Sequence, residues 1–280
     1  MATALRAVRQ YAGEITAVVS VADDGGSSGR LRRDLGVSPP GDIRRCLVAL
    51  AGDDCVWSAA FEHRFRDGEL EGHALGNLVL VGLTETLGSF TDALDEAGRL
   101  LGAVGRVLPA TVEPVVLKAE LAGSSVRVEG QVAVANSSGI RRVELVPADV
   151  VATPAAVDAI VTADQIVYAP GSLYTSVLPV VCVAGIRSAV AASPARVVQV
   201  ANLRPQVPET AGLDGADHLQ ALLAHGARVD AFLYHRDGAL AVDPDRVRAL
   251  GIEPRPAAVA RTDGLAHDPG QLAKALRALL

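Results

Sequence analysis

The chain lacks long uncharged apolar stretches, and this absence argues against a membrane-spanning segment. None of its apolar runs reaches the roughly eighteen residues of a membrane span, and Arg6 and Arg9 interrupt the N-terminus where a signal peptide would have its apolar core. We therefore expect a soluble, cytoplasmic protein with no membrane partner. Half of the 280 residues are apolar, which is enough to bury a substantial core.

Cysteine and lysine are scarce, and each shortage excludes a class of site. The cysteines, Cys46, Cys55 and Cys182, form no C-x-x-C pair and lie among apolar residues, so they predict buried thiols rather than a disulfide framework or a zinc site. Lys118 and Lys274 are the only lysines, and no G-x-x-x-x-G-K-[ST] run occurs, which excludes a Walker-type phosphate loop. Any phosphate clamp must therefore consist of arginines and backbone amides.

The sequence also lacks a basic excess and several catalytic signatures. Its net charge is −6, whereas a generic nucleic-acid-binding protein usually carries a basic face, so we predict no nucleic-acid partner. The stretch Ala169–Ser176 lacks a G-x-S-x-G elbow, which disfavours a serine nucleophile at that position. Because no G-x-G-x-x-G precedes a predicted helix, a nicotinamide-dependent oxidoreductase is a weaker alternative.

The order of strands and helices predicts the fold class. Glu14–Ala22 is a β-branched run typical of a strand buried on both faces of a parallel sheet. After Thr153, strands and helices alternate, as expected of right-handed βαβ crossovers. Between Val104 and Val146 the pattern indicates an antiparallel ribbon that turns at Gly123-Ser124. The sequence therefore predicts one Rossmann-like, doubly wound, mainly parallel α/β domain over residues 1–280, with a small antiparallel β lobe at about 104–146.

The remaining elements follow from apolar periodicity. The predicted helices are Ala2–Tyr11, Asp42–Ala51, Val56–Arg66, Ala74–Leu87, Phe90–Leu101, Thr153–Ala163, the stretch after Ser172 up to Ala192, Gly215–His225 and Pro269–Leu280. The predicted later strands are Gln165–Ala169, Arg196–Ala201 and Val229–Tyr234.

A glycine- and serine-rich stretch follows the first predicted strand. Ala22–Arg30 (ADDGGSSGR) stands at the carboxyl end of that strand, where open α/β sheets place their ligands. Its glycines allow a sharp turn that brings backbone amides near phosphate oxygens, its serines add donors, and Arg30 suits a bidentate phosphate contact. Asp23 and Asp24 suit ribose hydroxyls or, through water, a divalent metal. A flexible surface loop with a solvated charge pair is the alternative interpretation.

Three further stretches offer similar chemistry. Pro39–Arg45 leads into a helix whose first amides can meet a phosphate, although Asp42 also suits an ordinary N-cap. Gly72–Asn77 begins a helix with a histidine and an amide, and a structural His73 is the alternative. Ala169–Ser176 joins a buried strand, a tight glycine turn and hydroxyls at a helix start. A last group consists of Asn202, Glu209 and Thr210, which follow another predicted strand, and His218 on the next predicted helix. For each of these residues, an ordinary loop or surface position without a ligand is the equal alternative.

These stretches give one set of candidate nucleotide- and phosphate-binding residues. We assign no catalytic residue and no metal ligand among them. The set is Asp23, Asp24, Gly25, Gly26, Ser27, Ser28, Gly29, Arg30, Gly41, Asp42, Arg44, His73, Asn77, Gly171, Ser172, Tyr174, Thr175, Asn202, Glu209 and Thr210.

In this order, the stretches resemble the YvcK branch of the CofD-like family. The matching segments are VADDGGSSGRLRRDLGVSPPGDIRRCLVAL, GHALGNLVL, GRVLPA, APGSLYTSVLP, and N-x6-ET followed by ADHLQAL, and they span nearly the whole chain. The resemblance implies a Rossmann-like sheet and binding of UDP-sugars such as UDP-N-acetylglucosamine. It also implies a regulatory role in gluconeogenic growth, cell-envelope precursor supply and cell shape, with a protein partner in envelope biosynthesis.

The transferase branch of the same family implies an alternative function. CofD passes a phospholactyl group from a guanosine diphosphate donor to a deazaflavin precursor and uses magnesium, so the alternative is a magnesium-dependent transferase of this type. In this chain the residues after Asp24 read GGSSGRLR, which departs from that branch, so we carry over nucleotide binding and leave catalysis out. The family tends to read R-H-D where this chain has Ala266-His267-Asp268, which predicts that one arginine contact is missing.

The beginning of the chain also departs from the family pattern. Family members begin with a short strand and a G-G-G-[TH]-G-L loop, whereas Met1 of this chain falls inside the helix that follows. We therefore expect the sheet to lack a strand that would be central, with a misplaced start codon or a truncation as the favoured explanation. The apolar helices Ala74–Leu87 and Gly171–Ala192 offer a homodimer face, but the sequence leaves the oligomeric state open.

Overall fold

A computed structural model describes residues 1–52, 56–123 and 126–280, so Cys55 and the Ser124 part of the predicted turn lie outside the described residues. The helices are α1 (Ala2–Val8), α2 (Gly26–Leu35), α3 (Gly41–Leu50), α4 (Val56–Glu62), α5 (Leu75–Leu87), α6 (Phe90–Leu101), α7 (Gln131–Ala135), α8 (Pro154–Val161), α9 (Leu178–Cys182), α10 (Ala184–Ala192), α11 (Gly215–Ala224), α12 (Pro244–Ala249) and α13 (Pro269–Arg277). The strands are β1 (Thr16–Val19), β2 (Arg106–Pro109), β3 (Val116–Leu121), β4 (Arg127–Glu129), β5 (Ile140–Val146), β6 (Gln165–Tyr168), β7 (Arg196–Val200), β8 (Ala231–His235) and β9 (Glu253–Ala257). A short π-helix, Leu173–Val177, lies between β6 and α9.

The main sheet consists of two parallel blocks. Their strand orders are β2–β1 and β6–β7–β8–β9, and every described pairing within them is parallel. The separate three-stranded sheet β4–β3–β5 is antiparallel. These pairings confirm the predicted α/β class, with a mainly parallel sheet and a small antiparallel lobe.

Helices cover both faces of the second block. Val198 of β7 and Leu233 of β8 pack into a core formed with α1 and α13, whereas their neighbours Val197 and Phe232 pack into the larger core on the opposite face. All four side chains are fully buried. Because successive side chains of a strand point to opposite faces, burial on both sides makes these strands read as unbroken apolar runs. The sheet is therefore doubly wound.

A cavity of about 630 Å³ separates the two blocks. Its lining includes Thr16–Val18 of β1 and Ile166–Tyr168 of β6. The Ile15 carbonyl, just before β1, accepts from the Arg106 amide, and the Val19 carbonyl accepts from the Ala110 amide. Because alternate residues of a strand bond to the same neighbour, the odd-numbered residues Ala17 and Val19 bond to β2. The backbone groups of Thr16 and Val18 consequently face the cavity side. No described backbone pairing therefore joins β1 to β6, and the missing central strand implied by the family resemblance stays a prediction.

The predicted β lobe is smaller in the structure. Arg106–Pro109 forms β2 of the main sheet, because Val107 and Leu108 are both buried and need cover on both faces. Within the predicted ribbon, Gln131–Ala135 forms the short helix α7 instead. It begins after Gly130, whose φ of 98° is readily adopted only by glycine.

Two predicted details near the glycine-rich stretch are wrong. The sequence predicts a loop over Ala22–Arg30, but α2 already begins at Gly26, because its φ of 45° turns the extended chain directly into a helix. Asp42 is predicted as an N-cap, but α3 begins at Gly41 after Pro40. Asp42 therefore lies in the first turn of α3, where it pairs with Arg45 at 3.3 Å.

The predicted helical stretch up to Ala192 is divided into three parts. The π-helix leads into α9, and Val183, with a ψ of 110°, breaks the chain before α10. No single helix in the described ranges is long and apolar enough to cross a membrane. The segment Leu173–Cys182 reaches that length and composition only when counted together with Ala184–Ala192, across a bend of 78°.

The strand β9 and the helix α12 are absent from the sequence-based assignment. β9 contains Pro254 and Pro256, which remove two amide donors and make the segment look irregular. It pairs with β8 on one side and is the edge of its block. An edge strand tolerates prolines because only one side of its backbone must bond to a neighbour.

The two described cysteines are unreactive thiols. Cys46 is buried, Cys182 is half-buried, and neither forms a disulfide. Burial raises the pKa of Cys46 to about 12 and that of Cys182 to about 11. Neither is therefore a thiolate near neutral pH, in agreement with the structural role predicted from the sequence.

His267 is a buried polar residue near the C-terminus. Its neighbour Asp268 caps α13 by accepting from the Gln271 amide at 2.8 Å. His267 itself is 7 % exposed, and its Nε2 atom finds no partner among the described residues. Burial lowers the pKa of His267 to about 4, and a backbone contact at Ala201 opposes this only in part.

We predict that the amides of Thr16 and Val18 exchange with deuterium faster than those of Ala17 and Val19. The latter two bond to β2, whereas the former two face the cavity. Residue-resolved hydrogen exchange on the 280-residue chain measures the difference. Equal protection of all four amides would contradict an open edge on β1.

We predict that His267 destabilises the fold as the pH falls below about 6.5. In the unfolded state its imidazole is protonated below that pH, whereas in the folded state it stays neutral down to about pH 4, so acid favours unfolding. At pH 5 this difference amounts to at most about 2 kcal/mol. Urea unfolding should therefore show a smaller loss of stability between about pH 7.5 and pH 5 for His267→Gln than for the parent chain. The exposed His63, changed to Gln, is the control, and an unchanged pH dependence in His267→Gln would refute the assignment.

Candidate functional site

The candidate residues gather at one end of the main sheet, beyond the carboxyl ends of its strands. They form two groups. The α2 cluster contains Asp23–Arg30 after β1, Gly41–Arg44 on α3, and His73 with Asn77 at the start of α5. The Glu209 cluster contains Gly171–Thr175 after β6, Asn202 after β7, Glu209 and Thr210. Open α/β sheets place ligands at this end, where the chain direction across the sheet reverses.

Asp23 stabilises the turn before α2 with a hydrogen bond inside that turn. Its Oδ1 atom accepts from the Gly25 amide at 3.0 Å. Burial raises the pKa of Asp23, while the Gly25 amide and the Ser28 hydroxyl favour its charged form. A Cβ on Gly41 would lie 2.7 Å from Asp23 Oδ2, so only glycine fits there. The Gly41 amide donates to Ser28 Oγ at 3.0 Å, which ties α3 to α2.

Asp24 fastens the same turn to the β lobe. Its Oδ1 atom accepts from the Val132 amide at 2.9 Å, in the first turn of α7. A Cβ on Gly130 would overlap Asp24 Oδ2, and a Cβ on Gly29 would overlap the Asp24 carbonyl, so both positions require glycine. Asp24 therefore acts as a clamp. The partners Gly130 and Val132 were missed from the sequence because that segment was predicted as ribbon.

The N-terminus of α2 is left uncapped by the protein. Its N-cap, Gly25, has no side chain, and its first turn contains no acidic residue. Within the described ranges no hydrogen bond engages the amides of Gly26, Ser27 or Ser28. Free amides at the start of a ten-residue helix form a ready site for an anion.

Buried polar side chains stand directly behind this helix start. Ser27 Oγ lies 3.0 Å from His73 Nδ1 and accepts from Asn77 Nδ2 at 3.0 Å. Asn77 Oδ1 accepts from Arg44 Nε at 3.1 Å, and Arg44 Nη1 also donates to the Phe61 carbonyl at 3.0 Å. Serine, histidine, asparagine and arginine from three segments, α2, α3 and the start of α5, thus form one connected network.

Arg44 is the buried end of this network. It is 2 % exposed and pairs with Glu62 at 2.5 Å. Burial lowers the pKa of Arg44, and the Glu62 carboxylate opposes that shift. Its guanidinium therefore contacts protein groups, in contrast to the phosphate contact predicted for it from the sequence.

Arg30 lies on the outer side of α2. One of its terminal nitrogens, Nη2, donates to the Glu71 carbonyl at 2.6 Å. A Cβ on Gly72 would lie 3.0 Å from the same nitrogen, so this glycine allows the arginine to approach the chain closely. Arg30 thereby joins α2 to the segment that precedes His73.

The amides predicted as a second anion site are already bonded within the protein. Glu209 Oε1 accepts from the Tyr174 amide at 2.6 Å and the Thr175 amide at 3.2 Å, and Thr175 Oγ1 donates to Oε2 at 3.4 Å. Burial raises the pKa of Glu209, while these amide and hydroxyl donors favour its charged form. The Tyr174 side chain is itself buried. The start of the π-helix is thus filled by an internal carboxylate.

Asn202 braces the end of β6. Its Oδ1 atom accepts from the Gly171 amide at 2.9 Å, and its Nδ2 atom donates to the Gly171 carbonyl at 2.8 Å. Gln206 extends the brace by donating from Nε2 to Ser172 Oγ at 3.1 Å. Thr210 Oγ1 accepts from the Gln206 amide at 2.8 Å and holds that loop. The structure therefore gives these five residues contacts with one another.

The helix α7 joins the two clusters. Gln131 Nε2 donates to the Thr175 carbonyl at 3.0 Å, and the next residue, Val132, donates to Asp24. The antiparallel lobe thus holds the α2 cluster and the Glu209 cluster together across the interrupted sheet. His218, in contrast, is buried on α11, and its Nε2 atom has no partner among the described residues.

The magnesium of the transferase alternative has few carboxylate ligands here. In the described part of the chain, no group of three or more His, Cys, Asp and Glu side chains is arranged to hold a metal ion. Asp24 is engaged by α7, which leaves Asp23 and Asp42 near the start of α2. Magnesium commonly binds through one or two carboxylates together with substrate phosphates, so these residues fit an ion that arrives with a phosphate ligand.

Comparison with known proteins places this arrangement in a family. Residues 1–258 match the family described as 2-phospho-L-lactate transferase CofD. A Mycobacterium leprae protein named "Putative gluconeogenesis factor" is 44 % identical over 97 % of this chain and 81 % of its own length, and the Bacillus subtilis "Gluconeogenesis factor" is 39 % identical over 99 % and 93 %. A crystal structure of a UPF0052 family protein from Bacillus halodurans superposes with a TM-score of 0.93 at 37 % identity, covering 99 % of this chain and 94 % of that one. This chain therefore belongs to the CofD family, in the branch whose relatives are named gluconeogenesis factors.

Proposed function

We propose that this chain binds a nucleotide sugar of the UDP-N-acetylglucosamine type and holds its phosphates at the N-terminus of α2. The observation that carries the proposal is the set of amides of Gly26, Ser27 and Ser28, which bond to no group in the described part of the chain. They lie at the carboxyl end of β1, and the opposite candidate, the start of the π-helix, is filled by Glu209. A phosphate group is an anion that such a helix start stabilises.

The surroundings of α2 suit a phosphate that is recognised without lysine. Arg30 follows the free amides by less than one helical turn and keeps further guanidinium donors beyond the one bonded to Glu71. Asp23 lies on the other side of the turn, where its charge is balanced by the Gly25 amide and the Ser28 hydroxyl. The clamp by Asp24 fixes the β lobe beside the same turn, in a position to contact the remainder of a nucleotide sugar.

The role that we propose is regulatory. The acidic residues Asp24 and Glu209 are engaged in structural hydrogen bonds, and relatives of the chain are named as factors. In this proposal the protein senses a nucleotide sugar in the cytoplasm and transmits its level to a partner in cell-envelope biosynthesis, which links gluconeogenic carbon flow to envelope precursors and cell shape. The resemblance to the YvcK branch and the name of the relatives support this role.

A transferase is the second candidate, and the match to a family described as 2-phospho-L-lactate transferase favours it. Its substrate would be a guanosine-linked phospholactate donor, with magnesium carried on the donor phosphates near Asp23. Turnover of that donor with a deazaflavin acceptor, at a rate that depends on magnesium, would establish the transferase and displace the regulatory proposal.

We predict that Arg30→Ala weakens binding of UDP-N-acetylglucosamine about 10- to 100-fold, because a charge-assisted phosphate contact is lost. Isothermal titration calorimetry measures the dissociation constant. Arg33→Ala on the same helix is the matched control, since Arg33 is exposed and no described candidate contact involves it. An equal effect of both substitutions, or no binding of any UDP-sugar by the parent chain, would refute the proposed site.

We predict that Gly130→Ala lowers the affinity at least about tenfold, because its Cβ displaces Asp24 and loosens the clamp between α2 and the lobe. Gly139→Ala is the control in the same lobe, since Gly139 also has a positive φ of 68° but its Cβ would meet nothing within 4 Å. Both variants should lose about 1–2 kcal/mol of stability from backbone strain at a positive φ. Gly130→Ala should lose more than Gly139→Ala, because its Cβ also overlaps Asp24 Oδ2. Unchanged affinity in folded Gly130→Ala would show that the clamp does not support binding.

A further inference from the structure

In the network behind α2, the donor and the acceptor of each hydrogen bond can be assigned in order, starting from the buried Arg44. The Arg44 guanidinium carries only hydrogen-bond donors. Its Nε donates to the Asn77 side chain at 3.1 Å, so the Asn77 atom at that contact must be the carbonyl oxygen. The amide nitrogen of Asn77 consequently faces Ser27 Oγ at 3.0 Å and donates to it.

The proton of Ser27 then has one acceptor. Ser27 Oγ has two described side-chain neighbours, the donor Asn77 Nδ2 and the ring nitrogen His73 Nδ1 at 3.0 Å. Ser27 is 4 % exposed, so a protonated Nδ1 would leave its buried hydroxyl proton facing two donors. The arrangement is satisfied when Ser27 donates to an unprotonated Nδ1.

We propose that Arg44 is a positioning residue that, through Asn77 and Ser27, fixes His73 as the neutral tautomer with its proton on Nε2. His73 then offers a hydrogen-bond donor, and no lone pair, to an oxygen acceptor such as a phosphate or a sugar hydroxyl. The ligand part of this inference rests on the proposed function, whereas the tautomer itself does not.

The charges around His73 support the neutral form. Burial lowers the pKa of His73, the Arg30 and Arg64 guanidiniums lower it further, and Asp34 opposes them. The main chain on either side is anchored, since the His73 amide donates to the Leu70 carbonyl at 2.9 Å and the His73 carbonyl accepts from the Phe65 amide at 3.0 Å. No described residue bonds to His73 Nε2. That atom is also not sealed from solvent, in contrast to His218 Nε2 and His267 Nε2.

The protein contains an internal reference with the opposite tautomer. His225 Nδ1 lies 2.6 Å from the Ala221 carbonyl, to which it must donate, and His225 Nε2 accepts from the Val143 amide at 3.0 Å. His225 therefore carries its proton on Nδ1. One spectrum can thus show both tautomers under identical conditions.

Long-range ¹H–¹⁵N correlation NMR of the imidazole rings in the full chain tests the proposal. Near neutral pH we expect the Nε2–H pattern for His73, assigned by its loss in His73→Gln, and the Nδ1–H pattern for His225. A protonated Nδ1 on His73, or a ring that averages both tautomers, would overturn the proposal.

Asn77→Asp reverses the relay with a nearly isosteric side chain. The new carboxylate still accepts from Arg44 but cannot donate to Ser27, so Ser27 donates to it and His73 must protonate Nδ1. We expect the His73 pattern to switch while the His225 pattern stays unchanged, and an unswitched His73 would contradict the relay. If this variant does not fold, Ser27→Ala should release His73 into a tautomer mixture, and a retained pure Nε2–H pattern would contradict the relay equally.

Calorimetry with UDP-N-acetylglucosamine separates this inference from the proposed function. We expect Ser27→Ala, which adds no charge, to lose about tenfold in affinity. A parent chain with the Nε2–H tautomer that binds no UDP-sugar would refute the function and leave the relay standing. Tight binding by a parent chain whose His73 carries Nδ1–H would refute the relay and leave the function standing.

Discussion

The hydrogen bond between the Asp24 carboxylate and the Val132 amide connects parts of the molecule that the main sheet leaves apart. The sheet consists of two blocks separated by a cavity, so the ends of β1 and β6 are not held together by a shared ladder. The short helix α7 supplies the connection, with Val132 bonded to Asp24 on one side and Gln131 bonded to Thr175 on the other. The glycines at 29 and 130 are required because any Cβ would overlap Asp24.

The two helix starts that this contact connects differ in whether their backbone amides are already bonded. At the π-helix, the carboxylate of Glu209 occupies the Tyr174 and Thr175 amides, so the protein itself provides the anion. At α2, both nearby aspartates are bonded to other partners, and the amides of Gly26, Ser27 and Ser28 have no partner among the described residues. Two sequence stretches with the same composition of glycine, serine and a helix start thus have different chemistry. Of these two helix starts, the start of α2 is the one whose described amide donors remain available to an external phosphate.

The sequence predicted much of the fold because strong local signals agreed with the tertiary structure. Buried β-branched runs located β1, β6, β7 and β8, and the end of the sheet at which the candidate residues lie followed from their direction. It did not predict that Glu209 fills the π-helix, since that contact joins residues 34 and 35 positions apart. Nor did it predict α7, whose start depends on a positive φ at Gly130 and on the distant Asp24. Long-range polar contacts of this kind leave no periodic signal in a sequence.

Backbone amide chemical shifts during titration with UDP-N-acetylglucosamine test the central claim most directly. If the phosphates bind at the start of α2, the amides of Gly26, Ser27 and Ser28 should shift saturably. Those of Tyr174 and Thr175, already bonded to Glu209, should shift little. Shifts confined to Tyr174 and Thr175, or no saturable shift at Gly26–Ser28, would contradict the account.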